Sequence, residues 1–216
     1  MLSYNRIGKL MVLIIVLIVG IFAVQMFFKA ELPLASGQQN GSISTENLRT
    51  VEVASNYVTF NEPEKLDQFA DAIVLATVQN DFLNNQHIVT TYPDGNIQDF
   101  YTLTDIKIAR VIKESTNGDI NEGEILSIIE PVGLVEETHT KLIAEDYSNM
   151  QKGEYILIFL KRNSLGQYAI FNLNNGKFDL DSVQKKNAGT VSESDKLHEE
   201  LKDALFAKYD LTEANE

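Results

Sequence analysis

Phe100–Lys113 reads FYTLTDIKIARVIK, and its period of two decides the fold. Ile106, Ile108 and Ile112 fall on one face of an extended chain, Asp105 and Lys107 on the other, which predicts a half-buried strand with a solvated side. Upstream, Asp71–Gln79 (DAIVLATVQ) is β-rich and apolar until Asn80 and Asp81 stop it. Downstream, the turn Asn117-Gly118-Asp119 leads to Glu124–Glu130 (EILSIIE), apolar on both faces and ended by Pro131 and Gly133. Glu154–Lys161 (EYILIFLK) is the most apolar strand and predicts the centre of the sheet. Ser164–Gly166 turns into Gln167–Leu173 (QYAIFNL), and Asn174-Asn175-Gly176 predicts a hairpin before Lys177–Leu180. Val51–Phe60 reads as an edge strand or an ordered approach.

Helical signals frame this β-rich stretch. Pro63 suits a first helical turn, and Leu66, Phe69 and Ala70 share a face, so a short helix is expected over Glu62–Phe69. Leu197, Leu201 and Leu205 recur every four residues behind Ser192 or Ser194 as cap, which predicts a terminal amphipathic helix covering the sheet. Sequentially adjacent strands with few crossovers point to a mainly β protein: a small antiparallel OB-like barrel of 5–6 strands, with a short N-terminal helix and a C-terminal amphipathic helix, spanning 51–211.

The order of ADAIVLATVQ, LTDIKIARVIKES, EGEILSII, MQKGEYILIFLK and GQYAIFNLNNGKF resembles the netrin-like or TIMP-like group of OB folds. Gly153, Tyr155 and Phe159 stand where that group has a Gly-x-Tyr-apolar strand before a hairpin. The likeness runs from about Phe69 to Leu180. It implies an OB fold and a domain that binds proteins rather than catalyses. The group's disulfide-bonded cysteines are absent here, as is the N-terminal cysteine with which the metalloproteinase inhibitors chelate zinc, so inhibition does not carry over.

The N-terminal region reads differently. Leu10–Phe28 is free of charge, with Gln25 its one strongly polar side chain. As a helix it would reach roughly 28 Å, close to the ~30 Å of a bilayer core. Its length and poor cleavage sites favour an uncleaved anchor over a signal peptide. Arg6 and Lys9 then place 1–9 in the cytoplasm and the rest outside. The expected order is a cytoplasmic N-terminus (1–9), a transmembrane helix (10–28), a flexible linker (30–50) and an extracytoplasmic domain at the cell membrane. Beyond residue 29 the chain carries 15 basic and 31 acidic side chains, a net charge of −16. That excess repels nucleic acid and anionic lipid. With no cysteine, disulfides and thiolate metal sites are excluded.

Motifs for chemistry are missing. His87, His139 and His198 lie far apart, with no metal-ligand spacing, and no nucleophile elbow or phosphate loop occurs. Asn117, Asp119, Asn121, Glu122 and Glu124 put oxygen ligands in one loop, and Asp119-x-Asn121 starts an EF-hand pattern, but the fifth position is Gly123 and the closing Glu is lacking, so an inter-strand turn is expected. No cofactor and no metal are expected. The connection Asp81–Asp99 reads as a long loop, with Tyr92-Pro93-Asp94-Gly95-Asn96 as turn chemistry. Phe82, His87, Tyr92 and Asp94 are therefore the candidate binding residues, with Val132–Met150 as the second candidate surface. The reading favoured is a binding or regulatory module engaging another envelope protein. The alternative is a hydrolase or metal-dependent enzyme built from scattered acidic residues.

Overall fold

The alternating stretch becomes part of one long strand, β4 (Ile97–Lys113), along which three partners are laid in turn. The computed structural model describes residues 47–55, 57–181 and 192–211. In them the chain runs β1 (Arg49–Val53), α1 (Pro63–Phe69), β2 (Ala72–Val78), β3 (Gln86–Thr91), β4, β5 (Ile125–Glu130), β6 (Val132–Val135), β7 (Thr140–Ala144), β8 (Tyr155–Arg162), β9 (Tyr168–Ile170), β10 (Lys177–Asp179) and α2 (Glu193–Tyr209). The first third of β4 pairs with β3, its middle with β5 and its last part with β2, all antiparallel. β2 pairs with β8, β8 with β9, and β9 with β5 in parallel. The circuit β2-β4-β5-β9-β8-β2 therefore closes. Numbered within the barrel, its order is 1-2-3-5-4-1, the arrangement of an OB-like Greek-key barrel. β10 adds to the free side of β8, while β1, β7 and β6 make a separate three-stranded sheet.

β2 and β8 are buried on both faces, which is why they read as continuous apolar runs. Val74, Ala76, Ile156, Ile158 and Leu160 point into the barrel with Ile106, Ile108 and Ile128. Ile73, Leu75, Leu157 and Phe159 point outward, beneath Leu66 of α1 and Leu201 and Leu205 of α2. Ile112 does not share the face of Ile106 and Ile108. The β2–β4 register shifts between Ile73 and Val74 and between Leu75 and Ala76, so Val111 sits opposite Val74 and Ile112 joins the outer layer. Such bulges turn a strand's faces over. α2 starts at a capping box, Ser192 accepting from the Asp195 N–H at 3.1 Å and Asp195 from the Ser192 N–H at 3.2 Å. Its first leucine, Leu197, is 41 % exposed.

The expected fold class is corrected. The closed barrel has five strands, as expected, but its β5–β9 pair is parallel, and β1, β3, β6, β7 and β10 stand outside the circuit. Among the described residues no helix is long and apolar enough to cross a membrane. Residues 10–28, on which the transmembrane expectation rested, and most of the linker 30–50 lie outside the described residues. Asn174-Asn175-Gly176 makes no hairpin either: Leu173–Gly176 is a 3-10 turn, and β10 pairs with β8 instead of β9.

Phe159 is fully buried between the sheet and α2, with Phe178 edge-on at 6.3 Å and Tyr209 at 6.4 Å. Phe159→Ala is expected to cost about 3–5 kcal/mol in urea unfolding, as for other buried aromatic truncations. A loss below 1 kcal/mol would mean that α2 does not seal this layer.

Candidate functional site

The two helices plate one half of the barrel. They lie over the outer faces of β2, β8 and the end of β4 from Arg110 to Lys113, and among the described residues no helix covers β3, β5, β9 or the rest of β4. Register decides which side chains that bare half presents. Ile88 of β3 is opposite Tyr101 of β4, Gln86 is opposite Leu103, Leu103 is opposite Ile129 of β5, and Ile129 is opposite Ala169 of β9. Directly paired residues share a face. The outcome is an apolar row of half-buried side chains across four strands, on the same side as Asp105 and Lys107. A groove of about 320 Å³ runs beside it, lined by Tyr57, Tyr101, Ile129 and Leu165 among others. Leu165 is 83 % exposed and Tyr57 50 % exposed at its rim. The Asn163–Gln167 turn holds Leu165 in place: the Asn163 carboxamide accepts from the Leu165 N–H at 3.0 Å and the Gln167 N–H at 2.9 Å. Burial raises the Tyr57 phenol, helped by Asp99 and Glu145, so it stays a neutral donor.

The residues picked out from sequence fall in two places. Asp81–Asp99 is not a long loop but a 3-10 turn, Phe82–Asn84, followed by the β3–β4 hairpin. Phe82 is buried in the core, its ring 4.6 Å from that of His87 and under the Lys141 ammonium at 5.0 Å. His87 is half-buried. The Thr102 hydroxyl donates to the Val132 carbonyl at 2.6 Å, so it accepts from His87 Nδ1–H at 2.8 Å. That tautomer leaves Nε2 unprotonated, buried and without a partner. Burial holds the imidazole below its ordinary pKa, against the Phe82 backbone and the nearby Glu136 carboxylate. Tyr92 and Asp94 stand apart at the hairpin tip, where Asp94 accepts from the Asn96 N–H at 3.0 Å. The second candidate stretch, Val132–Met150, forms the β6–β7 hairpin and then buries Tyr147 and Met150. Tyr57, Ile88, Tyr101, Leu103, Ile129 and Leu165 went unread in the sequence. Tyr101 and Leu103 carried the usable signal, being apolar at the parity of Asp105 and Lys107.

The described residues also hold a buried carboxyl that sequence reading passed over. Glu130, at the end of β5, accepts from the Tyr147 hydroxyl at 2.8 Å, the Met150 N–H at 2.9 Å and the Thr104 hydroxyl. Lys177 lies over the Tyr147 ring at 5.3 Å. Burial pushes Glu130 above the ordinary carboxyl range, outweighing these donors and the Lys177 charge. Its oxygens are spent on the protein itself, so the group serves the fold. Asp119, of the EF-hand-like run, is likewise committed: it accepts from Ser115 at 2.5 Å and Tyr168 at 2.7 Å and lies 3.5 Å from Arg162. Among the described residues no group of His, Asp and Glu side chains could hold a metal ion.

A second opening, about 490 Å³, lies under the start of α2 and is lined by Asn61, Asn172, Asn174, Asn175 and His198 among others. Its carboxamides bind the protein: Asn172 brackets Phe60 through both its N–H and C=O, and Asn175 joins Asn61 to His198. No known protein family matches the chain, and neither does any curated protein or solved structure.

Because the folded-state pKa of Glu130 is raised, the stability it contributes is complete below the unfolded value near 4.5 and falls as pH rises through the folded value. Glu130→Gln should therefore gain on the wild type as pH is raised from 4.5, measured by urea unfolding. Glu130→Leu should cost on the order of 2–4 kcal/mol at acidic pH, because three buried donors lose their acceptor. A wild-type–Gln difference that stays constant with pH would contradict the raised pKa.

Proposed function

We propose that the domain is a non-enzymatic binding module that holds a partner protein on its bare β3-β4-β5-β9 face. The observation that carries this reading is the asymmetry of the barrel. One half is covered by helices, while the other presents Ile88, Tyr101, Leu103 and Ile129 in one row beside a groove. Half-buried apolar rows with aromatic anchors at a groove are where binding energy concentrates. The same outer surface serves ligands in OB-like barrels generally, an argument from fold alone. The acidity of the chain, −13 overall, supports a protein partner over nucleic acid, because phosphate backbones require basic surfaces.

A photo-crosslinking amino acid placed at Tyr101 in cells tests this directly. It is expected to give a discrete adduct with another protein, while the same probe at Glu200 of α2 gives none. Adducts from position 200 alone would overturn the reading.

A further inference from the structure

β3 is an edge strand without charge or proline along it. Among the described residues it pairs with β4 only, and its backbone makes no hydrogen bond to any further element. Natural edges are guarded by charge, proline or burial. β1 has Arg49 and Glu52, β10 has Lys177 and Asp179, and β6 is mostly buried. β3, QHIVTT, has neither charge nor proline, and its register is regular from Gln86 to Thr90, with the one shift at Thr90/Thr91.

The charge around this edge is mainly acidic, with the Lys141 ammonium over the Phe82 ring as the cation beside it. No lysine or arginine occurs between Lys65 and Lys107. Asp81, Asp94 and Asp99 flank the hairpin, and Glu136 lies near enough to His87 to act on its titration. β6 crosses the inner side of the hairpin so closely that a Cβ on Gly133 would stand 3.1 Å from the Phe100 Cβ. That fixes β3 against β4 and leaves its outer face, with Ile88 and Thr90, toward the bare side.

We infer that β3 is a docking edge: an extended, lysine- or arginine-bearing segment of a partner protein adds to it as a further strand, continuing the sheet β5-β4-β3. Backbone hydrogen bonds to β3 supply affinity, and alternate side chains supply choice. Apolar residues of the incoming strand extend the row Ile88–Tyr101, and its basic residues meet the surrounding carboxylates. A second copy of this chain is a poor occupant, since it would bring the same acidic surround to the same edge. The inference rests on the binding reading above and adds its mode and the chemistry of the partner.

The test uses the full chain and a labelled peptide of about eight residues alternating lysine and valine. Two twins accompany it, one with glutamate for lysine and one N-methylated on alternate amides. Fluorescence anisotropy should show binding of the lysine peptide, no binding of the glutamate peptide, and about tenfold or greater weakening by N-methylation. Amide hydrogen exchange in Gln86–Thr91 should slow on binding. Ile88→Lys should weaken the complex by a similar factor, and Thr90→Lys, at an exposed position, repeats the test if the first variant fails to fold. An N-methylated twin that binds equally well, or unchanged exchange in β3, overturns strand addition. If no peptide binds while position 101 still crosslinks a protein, strand addition falls and the binding reading stands. If position 101 also yields no adduct, both fall.

Discussion

β9 is only three residues long, yet it shuts the barrel. Ala169 meets Ile129 of β5 on one side, and Tyr168 to Ile170 pair with Leu160 to Arg162 of β8 on the other. Without those pairs, β5 and β8 would each end in an open edge and the inner core would be a one-sided sheet. So short a strand needs anchors beyond its ladder. The Tyr168 hydroxyl donates to Asp119, Arg162 sits over the Tyr168 ring at 5.9 Å, and Ile170 is buried in the inner core. The Asp119 carboxyl is held below its ordinary range by the Ser115 and Tyr168 hydrogen bonds. Closure at Ile129–Ala169 leaves the first third of β4 and its partner β3 outside the circuit, with an edge of β3 still open.

Polarity inside the barrel is concentrated at one place. Glu130 ends β5 one residue before Pro131, where the chain leaves the barrel for β6. Its three donors come from β4 and from the segment after β7. The carboxyl thereby ties the small sheet to the barrel, and the Thr102 hydroxyl repeats the link by donating to Val132. A buried carboxyl has few advantages over an apolar side chain except in fixing one arrangement among several. Here it holds the end of β5 to β4 and to the segment after β7.

What sequence revealed, and what it hid, follows from the range of the interactions. Strand alternation and helix caps are local, and they located α1, α2, β2, β5 and β8 closely. Closure depends on a single residue pair between β5 and β9, and neither strand advertises it. Ile112 was misread because two bulges, themselves set by pairing with β2, shift the parity of β4. The Asn174-Asn175-Gly176 run has hairpin chemistry, but Asn172 at φ 74° and Leu173 at φ 52° send the chain across to β8 instead. The candidate site was the least legible part. Phe82 and His87 looked like loop residues because the short turn before β3 carries no strong signal, and their burial under Lys141 and β6 is long-range. The row on the bare face was half visible: Tyr101 and Leu103 are apolar on a solvated parity, but only pairing joins them to Ile88, Ile129 and Ala169.

The closed barrel carries both the bare face and the open edge, and the chain has no cysteine of its own, so closure can be trapped cleanly. Ile129→Cys combined with Ala169→Cys places two thiols on directly paired residues of β5 and β9, within the reach of a disulfide. Mild oxidation followed by mass measurement after proteolysis should give one intramolecular bridge in nearly all of the folded protein. Ile125→Cys with Ala169→Cys, displaced along β5, should give none. If the 129–169 pair stays reduced, or the displaced pair bridges as readily, the barrel is not closed as described and the face built on it does not exist.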